Sequence, residues 1–340
     1  MNILVTGGGG FLGQALCRAL VERGHRVTSL SRSRYPALDA MGVQQVAGDL
    51  ADFTTVVDAL AGREAVFNVA AKAGAWGPLR EYFDANVRGV RNIIAGCRIH
   101  GVPVLVHTST PSVAHAGRQP CQGGSEFSTP IASRFKAAYP ATKAVAERIV
   151  CEENGNGLAT VALRPRLVWG PGDNHLLPRL AQRAQAGKLK LVGDGENRID
   201  TTYIENAVEA HVCALDTLCG KGAARAAGKA YFISNGEPRP IAVIINGLLA
   251  AAGAPPVVER LSFRSAYVIG AVLERAHRWL KLSGEPLMTR FLAEQLATPH
   301  WYDIGAARRD LGYEPKVSID EGLRNLAQWW RTHGNARHTG

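Results

Sequence analysis

Met1-Asn-Ile-Leu-Val-Thr6 runs without a spacer into Gly7-Gly-Gly-Gly-Phe-Leu-Gly13, and Gln14 to Arg23 follows with Leu16, Leu20 and Val21 on one side. The opening stretch reads as a short buried strand and the closing one as a helix with apolar residues at helical spacing. Strand, glycine turn and helix in that order make the context a dinucleotide site requires. Gly7 permits the tight turn, Gly10 lets the backbone approach a pyrophosphate, and Gly13 lets helix and strand pack closely. Phe11 and Leu12 lie inside the turn and are expected along the same ligand. The pyrophosphate would rest on free N–H groups at the helix N-terminus. The spacing is G-x-x-G-x-x-G, and the competing reading is a flexible tight turn.

The chain has 340 residues, 46% hydrophobic and 20% charged, enough to bury one large α/β core or two joined lobes. No apolar run approaches the ~18 residues of a membrane span. Met1 leads straight into the first strand, leaving no room for a signal or transit peptide, so a cytoplasmic protein is expected. Six scattered cysteines form no C-x-x-C pair and no cluster with histidine, which predicts free thiols and no metal site. The formal charge is +10. Arginine is spread along the chain and no nucleic-acid motif is present, so the surplus is read as a cofactor-phosphate site plus a solvated surface. Nucleic acid is not expected as a partner. Peripheral contact with a membrane or a pathway enzyme stays open, and a homodimer is expected.

The second strand, Arg26-Val-Thr-Ser-Leu30, ends at Ser31-Arg32-Ser33-Arg34. A carboxylate at the end of this strand would accept from a ribose 2′-hydroxyl, whereas arginine pairs with a 2′-phosphate. Ser31 followed by Arg32 and Arg34 therefore predicts NADPH/NADP, with NAD possible. A third strand ends in Asp49, placed to bond an adenine amino group, with Leu50 beside it. A fourth, Ala65 to Ala71, ends in Ala70-Ala71, small enough for close approach of a cofactor. The fifth, Pro103 to Thr108, is followed by Ser109-Thr110-Pro111-Ser112-Val113. This alternation of strands and helices predicts a doubly wound parallel sheet of Rossmann type.

Tyr139-Pro-Ala-Thr-Lys143 opens a further helix, with Pro140 in the first turn where a missing N–H costs nothing. Tyr139 and Lys143 stand on one helix face. A phenol is protonated at neutral pH and exchanges protons readily only beside a cation. Lys143 supplies that charge and can also hold a nicotinamide ribose, while a hydroxyl opposite would orient a carbonyl oxygen. Alone, such a pair is an ordinary surface motif. After a nucleotide turn and a strand ending in hydroxyls, it points to proton transfer.

Taken together, these segments resemble the extended short-chain dehydrogenase/reductases, in their 3β-hydroxysteroid dehydrogenase-like branch. The resemblance rests on Gly7/Gly10/Gly13, Asp49, Ala70-Ala71, Asn86-Val-Arg-Gly, Ser109-Thr110-x-x-Val113, Tyr139/Lys143, Leu163 to Asp173, Arg198 to Asn206 and Asp303 to Tyr313. It implies that Thr110, three residues before Val113, is the catalytic hydroxyl, with Ser109 in reserve. It implies that Asn86 joins a proton relay through a helix kink; a helix cap is the other reading. The stretch Ala70 to Gly77 with Thr201 to Asn206 is most similar to bacterial reductases of 2-alkyl-3-oxoalkanoates in long-chain olefin biosynthesis. That implies reduction of a 3-keto acid, with steroid dehydrogenases next and nucleotide-sugar epimerases or dehydratases third. Lys72, Trp76 and Ser112 are the candidate contacts for the apolar substrate, the Lys72 ammonium as partner for its carboxylate; a solvent-exposed lysine is the other reading.

The nucleotide-binding domain is expected over 1–165 and 207–235, with Lys229 to Asn235 returning to the sheet. A smaller, mostly helical substrate lobe is expected over 166–206 and 236–330, and a disordered tail over 331–340. Ala266 to Leu282 is amphipathic, and its stripe Val268, Val272, Ala276, Leu280 is expected to face the lobe core. A lid over the substrate or a membrane contact is the alternative.

Overall fold

A computed structural model of the chain describes residues 1–115, 117 and 119–334. Seven strands form the central sheet: β1 Asn2–Thr6, β2 Arg26–Ser31, β3 Gln44–Ala47, β4 Ala65–Asn68, β5 Val104–Thr108, β6 Ala159–Pro165 and β7 Lys229–Ile233. All neighbours are parallel, in the order β3-β2-β1-β4-β5-β6-β7. The inner strands are apolar on both faces because helices cover both. Ile3, Val5, Phe67, Val106 and Val161 pack with Leu16 and Leu20 of the Phe11–Glu22 helix and with Leu215 of the Ile204–Cys219 helix. Leu4, Val66 and Leu105 point the other way, onto Val56, Ile93 and Val150 from three further helices. This is the doubly wound fold expected, and β7 returns to the edge of the sheet.

The strand order reverses between β1 and β4, so their carboxyl ends open the crevice where such sheets bind ligands. Both strands lead into it with small residues, Gly7 after β1 and Ala70 after β4.

Beyond β6 the chain builds the second lobe from helices Leu176–Gln185, Ile241–Ala251, Phe263–Leu280 and Arg290–Ala297, with short strands between them. Asp173, buried just ahead of the first of these helices, accepts the N–H groups of His175, Leu176 and Leu177 at 2.8, 3.0 and 2.9 Å. Strand Cys121–Gly124 crosses over to pair with His300–Tyr302 in the lobe. Ile304, Ala307, Leu311 and Tyr313 pack into the nucleotide-side core. Asn206 ties the two portions together: its Oδ1 accepts from Lys316 and Val317 N–H at 2.9 and 3.1 Å.

Two expectations are corrected here. The stripe on helix Phe263–Leu280 faces outward, with Val268 60%, Val272 61% and Leu280 68% exposed. The side turned inward is Ala266, Gly270 and Glu274. A Cβ on Gly270 would stand 2.7 Å from the Thr289 carbonyl carbon, and Glu274 pairs with Arg290 at 2.8 Å. Close backbone contact and an ion pair therefore choose the buried face, against the apolar pattern. Helix Ile319–His333 also continues through 331–333, where a disordered tail was expected, and 335–340 lie outside the described residues.

Candidate active site

The glycine turn forms the cradle that the sequence implies. Gly7 has φ +70°, and a Cβ there would stand 2.9 Å from Ala70 Cα; one on Gly13 would overlap the Gly7 carbonyl oxygen. Side chains at these positions would close the crevice or push the helix off the strand. Gly10 caps the Phe11–Glu22 helix without a side-chain hydrogen bond, so the first N–H groups of that helix face the crevice. No acidic residue stands in that first turn to compete with an anion. These features fit a dinucleotide pyrophosphate.

A cavity of about 830 Å³ runs from Gly7, Gly10, Phe11, Leu12 and Gly13 to Lys143 and Tyr139. Its adenosine end is lined by Ser31, Arg32, Asp49 and Leu50, its middle by Ala70, Ala71 and Lys72. Arg34 is not among the lining residues. Its guanidinium turns away to Asp39 at 3.1 Å, a pairing that holds the Asp39 carboxyl below its usual value. Tyr35, which no motif singles out, lines the cavity instead, and its ring lies against Gly9. Gln45 fixes it by accepting the Tyr35 N–H at 2.8 Å.

Tyr139 and Lys143 open helix Ala138–Glu152 at the far end of the cavity. Thr110 follows β5, buried, with its side chain close enough to Tyr139 to act on the phenol. Burial pushes the Tyr139 phenol above its usual value, and Thr110 offsets this in part. The Lys143 ammonium donates to the Thr108 carbonyl at 2.6 Å and lies 3.0 Å from His107 Nε2. Burial lowers it to about 7, against the pull of the Glu147 charge. Ser109 points elsewhere, donating at 2.5 Å to Glu147, which also binds Arg164 at 2.6 Å. Its hydroxyl belongs to a buried ion pair. Ser112 accepts from the Thr110 hydroxyl at 3.2 Å and gives its backbone N–H back at the same distance.

Asn86 sits in a π-helical turn, Asp84–Arg88, the kind of bulge that re-aims side chains at functional sites. It is not a cap. Its amide accepts the Lys72 N–H at 2.8 Å and donates to the Thr142 hydroxyl at 3.1 Å, tying the loop after β4 to the Tyr139 helix. The Lys72 ammonium is engaged by Glu81 at 2.7 Å. Trp76 lies outside the cavity lining, its ring edge-on to His277 at 6.2 Å. Sequence reading passed over the chain behind Lys143. There Thr6 donates to Asn68 at 2.8 Å and Asn68 meets His107 Nδ1 at 2.9 Å, all buried. Burial and Lys143 hold the His107 imidazole well below its usual value. The one signal for it was a histidine inside the apolar strand Val104–Thr108.

Residues 4–255 match the 3-beta hydroxysteroid dehydrogenase/isomerase family. The chain is 60% identical to 2-alkyl-3-oxoalkanoate reductase of Stenotrophomonas maltophilia, over 96% of this chain and 98% of that one. It is 48% identical to the protein of the same name in Shewanella oneidensis, over 96% and 85%. Among solved structures, MoeE5 in complex with UDP-glucose and NAD shares the fold at a TM-score of 0.75, with 24% identity over 98% of this chain and 99% of that one.

Proposed function

The chain belongs to the 3-beta hydroxysteroid dehydrogenase/isomerase family, and we propose that it reduces the 3-keto group of a long-chain 2-alkyl-3-oxoalkanoate to the 3-hydroxy acid with NADPH. The observation that carries this reading is the meeting of Tyr139 and Lys143 at the end of a cavity that begins on the glycine cradle, with Thr110 close to Tyr139 behind the lining. The substrate class comes from the two reductases to which the chain is 60% and 48% identical. The preference for NADPH rests on Ser31 and Arg32 at the end of β2, where no carboxylate competes for a ribose phosphate.

When bound, the reduced nicotinamide supplies the hydride that becomes the new C–H bond at C3. Tyr139, kept protonated by its raised pKa, passes its phenolic proton to the ketone oxygen as that oxygen gains charge. Thr110, whose hydroxyl donates to Ser112 in the structure, would turn that hydrogen to the same oxygen and orient it. Lys143, poised near neutrality, places positive charge beside the phenolate and helps return a proton to it. Asn86 holds the helix and the loop around them in register.

The experiment is kcat/KM with NADP⁺ across 3-hydroxy acids of increasing length. Each added methylene that enters an apolar trough contributes about 0.8 kcal/mol, so the value should climb roughly fourfold per carbon until the trough is full. A flat series, or a 3-hydroxysteroid beating every long-chain acid, would move the assignment to steroids.

A further inference from the structure

At the carboxyl edge of the sheet, beside the Thr110 turn, three polar side chains lie buried or half-buried and take no part in the scheme above. Arg166 follows β6. Its N–H donates to the Ile233 carbonyl at 3.1 Å and its own carbonyl accepts the Thr202 hydroxyl at 2.8 Å, so its backbone is fixed from two sides. β6 pairs with β5 through Thr108 and Leu163, which brings Arg166 out next to the turn Pro111–Val113. His115 leaves the end of that turn. His300 stands on the short strand His300–Tyr302 and is fully buried.

The guanidinium has no acid of its own. No carboxylate forms an ion pair with Arg166 among the described residues. Its Nε is buried with no hydrogen-bond partner, and its terminal nitrogen meets His300 Nε2. His300 gives its Nδ1 hydrogen to the Thr298 carbonyl at 2.6 Å, so Nε2 offers Arg166 a lone pair and no charge. Asp200, an acid that faces the group, accepts instead from the Tyr302 N–H at 2.6 Å and from Ser234. The His115 ring tilts against His300 at 5.4 Å, and neither of its nitrogens has a hydrogen-bond partner. Burial and Arg166 push His115 down to about 4.

The neighbouring cations are paired with carboxylates. Arg164 holds Glu147 and Lys72 holds Glu81. A guanidinium taken out of water without a counter-ion is costly, and its planar fork matches a carboxylate. Arg166 as a residue is half-buried, with its Nε buried. Its position also suits the chemistry. In a 3-oxo acid the carboxylate carbon lies two bonds from the ketone carbon. A receptor just past the end of β6, whose neighbour β5 about 4.8 Å away leads to Thr110, is within one side chain's reach.

We infer that Arg166, backed by His300 and flanked by His115, is the recognition group for the carboxylate of the oxo-acid substrate. This rests on the keto-acid reading above, and it moves carboxylate recognition from Lys72 to the opposite side of the site.

The test compares three probes of one chain length in the oxidising direction with NADP⁺: 3-hydroxydecanoate, its methyl ester, and 2-nonanol, which lacks the carboxylate altogether. The native enzyme should favour the acid. Arg166→Leu should raise KM for the acid by roughly ten- to a hundredfold, the range for a lost bond to a charged group. Its KM and kcat for the ester and the alcohol should change little, and its NADP⁺ affinity should be unchanged. Arg166→Lys, which keeps a cation in the same place, should recover part of the loss and serves also if the leucine variant does not fold. Equal losses on all three probes would overturn the inference and make Arg166 a structural residue. A native enzyme that treats acid and ester alike would also overturn it, while leaving the reductase reading intact. If none of the three is oxidised, the keto-acid reading fails. Calorimetric titration of the protein with 3-hydroxydecanoate then judges the carboxylate site alone: binding that Arg166→Leu abolishes supports it, and no binding overturns it.

Discussion

The two sides of the sheet's carboxyl edge treat their buried polar atoms differently. Behind Lys143, Thr6 bonds Asn68, Asn68 meets His107, and His107 meets Lys143; one step away Ser109, Glu147 and Arg164 close on each other. Each residue finds a partner within the chain, and of their polar atoms Arg164 Nη1 is left without one. Around Arg166 such atoms are more numerous: Arg166 Nε, both nitrogens of His115 and the Thr201 hydroxyl are buried without a partner. A native fold satisfies nearly all its buried polar groups, so a cluster of exceptions asks for a ligand. The first region is a finished support, which sets proton affinities before any substrate arrives. The second reads as a receptor, completed by what it binds.

The largest expected effect tests the finished side. Tyr139→Phe removes only the phenolic oxygen, so turnover should fall by roughly 10²–10⁴-fold while cofactor affinity, measured by fluorescence titration, survives. Loss of both would mean that Tyr139 holds the cofactor and not the proton. Next comes the ion pair beneath it. Glu147→Leu strands the buried Arg164 and should cost about 3–5 kcal/mol of unfolding free energy in urea. Ser109→Ala, which removes one bond to a charged group, should cost about 1.5–3 kcal/mol and leave turnover largely in place. Should Ser109→Ala instead lose turnover at native stability, with Thr110→Val active, the catalytic hydroxyl is Ser109.

A smaller effect follows from pH. Lys143 is lowered to about 7, so it carries its charge below that value and loses it above. Reductive kcat/KM, which reports the free enzyme, should be level on the acid side and fall toward tenfold per unit above about pH 7. A profile flat to pH 9 would show that Lys143 keeps its proton. Smaller again is the cofactor contrast. Arg32→Ala should weaken NADPH about tenfold and leave NADH nearly unchanged, as for one lost bond to a charged group. Arg34→Ala should move neither, because Asp39 already holds its guanidinium. The smallest effect is on the outward stripe: Val272→Ser should change stability by no more than about 0.5 kcal/mol in thermal unfolding, as at any exposed site. A large loss there would mean that the stripe is covered in solution.

Legibility followed distance along the chain. The glycine turn, the end of β2 and the Tyr139/Lys143 pair were readable because their geometry is local: a strand, a turn and a helix fix which residues share a face. Thr110 and Ser109 are adjacent and chemically alike. Only the placement of Glu147 and Arg164, from a helix and a strand beyond, takes Ser109 out of play. Lys72 reads as a free cation until Glu81 is seen across the loop. The helix Phe263–Leu280 was legible as amphipathic, but its facing was not. Gly270 against the Thr289–Arg290 backbone and Glu274 against Arg290 decide it, and neither contact is encoded in the helix's own periodicity.

By itself, then, the sequence determined the parallel sheet, the glycine cradle and the placing of Tyr139 and Lys143 on one helix face, since strand and helix periods and turn sterics act over a few residues. The tertiary structure decided which hydroxyl is tied to Glu147, which arginine lines the cavity, which side of a helix is buried, and that Arg166 forms no ion pair among the described residues. Each of those depends on the charge or backbone that a distant segment brings within a few ångströms, and pairing energies are set by that distance and by burial.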